Sequence, residues 1–117
     1  MNRYTVQRGE TKRWLLWDEP GADLTGVSVE AVLRPFDRRR GGVQPGDAVA
    51  AALTPAPFAG EGERGPGFYL TLAAADSEAL DLGLYQADAR VTLAGNEIAI
   101  SEAWHIEVVE PATRPQP

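Results

Sequence analysis

The chain has no cysteine, and among its 117 residues only one histidine, one methionine and one lysine. Without thiols there are no disulfides and no zinc site built on thiolates. A single imidazole and a single lysine leave almost nothing for metal binding, Schiff-base chemistry or imidazole catalysis. No apolar run approaches the roughly 20 residues a membrane-spanning helix needs, and the polar opening Met1-Asn2-Arg3-Tyr4 lacks the apolar stretch of a signal peptide. The expectation is a soluble protein with no membrane partner. Positive charge is also scarce: 17 acidic against 11 basic side chains give a net charge of −6 and a sequence pI near 4.7. Phosphate backbones attract a surplus of Lys and Arg, so nucleic acid is not the expected partner.

What is present is a 44% hydrophobic chain of the size of one domain, able to bury roughly two-thirds of its unfolded surface. Its hydrophobic pattern is mostly of period two. Tyr4 to Arg8 alternates up to Gly9, and Lys12 to Trp17 is a mostly apolar run too short for a helix and better suited to a buried strand. Asp18 to Asp23 reads as a turn, with Pro20 and Gly21 at its centre. Val27, Val29, Ala31 and Leu33 mark a half-buried strand that Pro35 ends. Residues 36–47, FDRRRGGVQPGD, have no period and read as an exposed loop; Val49, Ala51 and Leu53 suggest a short strand; Pro55 to Gly67 reads as a second loop. Phe68, Leu70 and Leu72 mark another strand. Asp76 to Leu80 has room for one helical turn, with Asp76 as its N-cap.

The clearest signal is a hairpin. Tyr85, Ala87, Ala89, Val91 and Leu93 share one face, the turn Ala94-Gly95-Asn96-Glu97 follows, and Ile98, Ile100, Trp104, Ile106 and Val108 share a face of the returning strand, with a bulge expected at Glu102. About seven strands at such spacing predict an all-β fold, an immunoglobulin-like antiparallel two-sheet β-sandwich over residues 1–110 with one short helical turn near 76–80. Residues 111–117, PATRPQP, are expected to form an extended Pro-rich tail.

Candidate chemistry is sparse. His105 alternates opposite Trp104 and Ile106 and so falls on the solvent or interface face, where an idle surface histidine is the simplest reading. Ser28, Ser77 and Ser101 have no base readable nearby, and neither a nucleophile elbow nor a dinucleotide fingerprint occurs. Carboxylates are numerous enough to pair by chance, but small sandwiches rarely carry the deep cleft a glycosidase needs. Asp18, Glu19 and Asp23 lack the rhythm of a calcium loop, and Gly60 to Gly65 holds carboxylates where a phosphate cradle holds lysine. No catalytic residue, metal ligand or cofactor is expected.

Two features point instead to a partner protein. Arg38-Arg39-Arg40 places three guanidiniums on a loop of an acidic chain, suited to gripping a neighbour's acidic patch. Trp14 and Trp17, three apart in one strand, face opposite ways; one fills the core while the other is covered by a partner, a loop or a ligand. An interface is the stronger reading of that second ring, and sugar stacking the weaker. The tail, cheap to order, supplies Pro111, Arg114 and Pro115 as further partner-binding candidates.

Val6-Gln7-Arg8-Gly9-Glu10-Thr11, the turn Asp23-Leu24-Thr25-Gly26 before a strand ending Leu33-Arg34, Phe68 to Leu72, and Leu82-Gly83-Leu84-Tyr85 together resemble small structural proteins of tailed phages and prophages. They are similar to the immunoglobulin-like N-terminal domain of phage baseplate upper proteins. The resemblance covers most of residues 4–109, and its distinctive part is the order of the pieces. It implies a non-enzymatic protein of the virion, present in the host cytoplasm before assembly, that docks on capsid or tail proteins in a homo- or hetero-oligomeric array. The chain carries no heptads and no shaft before Pro117, which shifts the expectation from a fibre to a capsid-surface cement or decoration, a fibre base or an adaptor. A tail or baseplate component is the first alternative, and a carbohydrate-binding module using Trp14 or Trp17 is the second.

Overall fold

The computed structural model describes residues 3–16, 24–44, 46–58 and 66–111. Alternating sequences become strands β1 (Arg3–Gln7), β2 (Lys12–Leu16), β3 (Ser28–Pro35), β4 (Ala51–Phe58), β5 (Gly67–Leu72), β6 (Gly83–Thr92), β7 (Ile98–Ile100) and β8 (Trp104–Val109). A single helical turn, α1 (Ala74–Glu78), leads into β6. Hydrogen bonds link the strands in the order β1-β8-β6-β3-β4-β5-β2, with β7 beside β6.

That path folds over at β4. Ala51 to Leu53 pair with β3, whereas Thr54 to Phe58 pair with β5, so one strand belongs to both layers. One layer holds β1, β8, β6 and β3, and the other holds β5 and β2. This is the distribution of strands in an immunoglobulin-like sandwich, and the all-β, two-layer expectation is met. Among the described residues the single departure from antiparallel pairing is β1 with β8, which run parallel from Arg3 opposite His105 to Gln7 opposite Val109.

The period-two pattern fills the space between the layers. Leu33 from β3, Leu53 from the first part of β4, Ala87 and Ala89 from β6 and Trp104, Ile106 and Val108 from β8 meet Leu70 and Leu72 of the opposite layer. Full burial of each such aliphatic chain is worth about 1.5–3 kcal/mol. Trp14 of β2 joins this core from the side, its ring 5.9 Å from Tyr4 and 6.0 Å from Trp104.

A polar clamp fixes one corner. Ser77 in α1 is fully buried; its hydroxyl donates to the Glu10 carbonyl at 2.7 Å and accepts from the Gly9 amide at 3.1 Å. Arg8 reaches the same corner and donates twice to the Glu78 carbonyl. At the start of β6 the Tyr85 hydroxyl donates to the Asp81 carbonyl at 2.7 Å, the corner tyrosine of such sandwiches. Burial, reinforced by Asp81, pushes its phenol pKa above the ordinary 10.0.

Three sequence expectations need correction. Pro55 to Phe58 is strand, not loop: β4 has no partner beside these residues except β5, so the missing amide protons of Pro55 and Pro57 cost no ladder bond there. The helical turn begins two residues earlier than expected, with Ala73 as a cap that has no side-chain bond, and Asp76 lies inside the first turn. Its position follows from where Ser77 must sit to bond Glu10. Finally, Ile98 and Ile100 do not share the inner face of Trp104. The expected bulge is present: Ile100 pairs with Arg90 while Trp104 pairs with Ala87, leaving three residues, Ser101 to Ala103, opposite two. One extra residue reverses the facing of everything beyond it, and Ile98 and Ile100 stand 53% and 60% exposed.

Ser77→Ala removes the hydroxyl that bonds the Gly9 amide and the Glu10 carbonyl, both part-buried, and is expected to lower unfolding stability by about 1–3 kcal/mol in a urea titration. Ile100→Thr is expected to stay within about 0.5 kcal/mol of the parent. Equal denaturation midpoints for Ser77→Ala and the parent would contradict the clamp.

Candidate docking surface

The connection from β3 to β4 carries the three arginines. It is a built loop rather than a slack one. Phe36 donates its amide to the Leu84 carbonyl at 2.9 Å, which carries the chain back across the edge of β6. Asp37 then caps a 3-10 turn over Arg38–Arg40, its carboxylate accepting from the Arg39 amide at 2.9 Å. Gly41 closes the turn with φ 81°, a left-handed conformation that a side chain would strain. Gly42, at φ 100°, lies against the Phe36 ring; a Cβ there would stand 2.8 Å from a ring carbon.

Asp47 fastens the far end. Its carboxylate accepts from the Gln44 amide at 2.7 Å and from the Arg40 guanidinium at 3.0 Å, while the Gln44 side chain donates to the Arg40 carbonyl. The Gln44 amide first, then Arg40, hold the Asp47 pKa below its ordinary 3.8. Arg34 donates to the Asp47 carbonyl, and with Val43, Gln44, Gly46 and Asp47 it lines a shallow open depression.

The three arginines therefore differ in their chemistry. Arg40 is part of the loop's own fastening. Arg38 and Arg39 are exposed and, among the described residues, neither forms an ion pair with an acid. A short turn fixed at both ends presents them, which lowers the entropy lost when they engage a carboxylate.

Below the turn lies the outer face of the β1-β8-β6-β3 layer. His105 sits there, on the face the alternation assigns to it, with the Phe36 ring 4.3 Å from its own. Arg3 is its cross-strand neighbour on β1 and pairs with Glu107 at 3.2 Å. Burial first, then the charges of Arg38 and Arg3, keep the His105 pKa below the ordinary 6.5. Five of the chain's ten arginines are thus Arg3, Arg34, Arg38, Arg39 and Arg40, gathered at one end of one layer in a chain of net charge −6. Sequence reading found the triplet; Arg34, just before it in the chain, joins through the Asp47 carbonyl, and Arg3 and His105 join only through pairing between strands far apart in the chain.

The other candidates separate. Trp14 is the core-facing ring of its strand, half-buried between Tyr4 and Trp104. Pro111 is half-buried just past β8. Trp17, Arg114 and Pro115 lie outside the described residues, as do the acidic turn at Asp18, Glu19 and Asp23 and the glycine-rich stretch 60–65. Open strand edges, which the sequence reading of a sandwich also offers for docking, lie at two places: among the described residues β2 pairs only with β5 and β7 only with β6, and β7 adds two exposed isoleucines.

A carboxylate whose pKa is depressed by folding contributes fully above its ordinary value and loses that contribution as pH falls through the depressed one. The Gln44 amide resonance is therefore expected to titrate with a midpoint below 3.8, and Asp47→Asn to abolish this titration while leaving the sandwich folded. A midpoint at or above 3.8 would contradict the fastening. No known protein-family model matches the chain, and no curated protein matches it either.

Proposed function

We propose that the chain is a non-enzymatic structural protein of a tailed-phage virion, docking on other virion proteins as a capsid-surface cement or decoration, a fibre base or an adaptor. The observation that carries docking is the pair Arg38 and Arg39, held out on a turn fastened by Asp37, Arg40 and Asp47. A protein with surplus negative charge that gathers half of its arginines at one end presents a polarised surface, and such a surface orients an encounter with an acidic neighbour. The virion setting comes from the resemblance in the order of the sequence pieces, and a tail or baseplate position belongs to the same proposal.

The open edge of β2 supports the same reading, because an extended partner segment can complete it by strand addition. The Pro-rich tail is proposed as a third contact. The sugar-binding alternative loses Trp14 as a stacking platform, since Tyr4 and Trp104 already engage that ring. The docking reading is therefore preferred.

Mass spectrometry of purified particles is expected to detect the chain. Reversing both charges, Arg38→Glu with Arg39→Glu, is expected to leave the isolated protein folded and lower its incorporation at least about tenfold, the effect of losing roughly 1.4 kcal/mol. Particles without the chain, or undiminished incorporation of the variant, would overturn the reading.

A further inference from the structure

We propose that Arg38, Arg3 and His105 form a binding site for a carboxylate, supplied by the side chain of an acidic segment on a partner protein. The inference deepens the docking reading and rests on it for the partner being a protein.

Three distant parts of the chain converge here. Parallel pairing of β1 with β8 sets Arg3 opposite His105, both on the outer face, because Val6 on β1 and Trp104 and Ile106 on β8 fill the inner one. Phe36 folds back onto His105, and Arg38 follows two residues later on the fastened turn. Two guanidiniums thus stand beside one imidazole. The two guanidiniums disfavour a third positive charge on the ring, and an incoming anion offsets that effect.

His105 also has an unmet bond: its Nε2 is buried and has no hydrogen-bond partner. His105 therefore acts through its charge: Arg38 binds the carboxylate directly, and the bound anion favours the protonated ring. Phosphate is the poorer fit, because its second charge asks for more free cations than the site holds. Arg3 is already shared with Glu107, and Arg40 belongs to Asp47.

Binding at this site takes up a proton. In the free protein the charged groups facing His105 are Arg3 from β1, Arg38 from the turn and Glu107 from β8, with the neutral Gln86 opposite on β6. Burial, Arg38 and Arg3, with a smaller push from the α-amino group, keep the ring neutral below its ordinary 6.5. A seated carboxylate raises that pKa. Affinity is therefore highest below the pKa of the free ring and falls as pH rises through the pKa of the complex. Below about pH 4 the ligand's own carboxyl protonates and affinity falls again.

The test uses the full chain and a hexaglutamate peptide, followed by calorimetry and by the His105 ring resonances. Binding is expected to be tighter near pH 5.5 than near pH 7.5, by up to about tenfold for a rise of one unit in the ring pKa. Arg38→Ala is expected to weaken binding about tenfold, and His105→Gln to flatten its pH dependence. Should His105→Gln fail to fold, the resonances of the unaltered protein decide. Self-association that hexaglutamate dissolves supports the site and identifies a second copy as the source of the acid. Equal affinity at the two pH values, a His105 resonance indifferent to peptide, or inorganic phosphate binding as tightly as peptide would overturn the proposal. Absence of the chain from particles sinks the virion reading alone, whereas an unresponsive His105 sinks this site and leaves docking through Arg39 and the β2 edge standing.

Discussion

Strand β4 is the constraint on which the rest of the molecule depends. In a sandwich without disulfides, something other than a covalent cross-link must hold the layers at a fixed spacing, and here the backbone does it by passing from one layer to the other between Leu53 and Thr54. Leu53 is the last residue paired with β3 and is 3% exposed, so the crossing point is itself pinned in the core. Beyond it Pro55 and Pro57 stiffen the strand along an edge where no third strand needs their amides. The arginine loop hangs from the same device, since it is the link between β3 and the start of β4.

The sequence made the layers legible because alternation is a local property. Tyr85, Ala87, Ala89 and Val91 announce a buried face, and each is buried. Position in the sheet is not local, and that is where reading failed. Nothing around Pro55 says that it will lie on an edge, so two prolines in four residues looked like a loop. Nothing around Ile100 says that the extra residue at the bulge will turn it outward, although the bulge itself was signalled by Glu102. The helical turn was misplaced for a similar reason: its start is set by Ser77 bonding Glu10, 67 residues away.

The candidate site divides along the same line. Arg38 to Arg40 stood out as a run of like charge on a glycine-bounded loop, and such runs are visible in any sequence. That Arg40 serves Asp47 while Arg38 and Arg39 face outward depends on a fastening closed seven residues later. Arg3 and His105 could not be assigned to the site at all from their neighbours, because a parallel pairing of the first and last strands brings them together. Long-range pairing of this kind leaves no periodic trace in either segment.

The bulge between β7 and β8 has a consequence for how the protein tolerates crowding. By breaking the ladder it leaves β7 only three residues long, and a three-residue strip offers too few amides to template an open-ended polymer. At high protein concentration, a longer and flatter strip bearing Ile98 and Ile100 would invite fibrils. The interruption lets two apolar side chains stay outside while runaway stacking is suppressed.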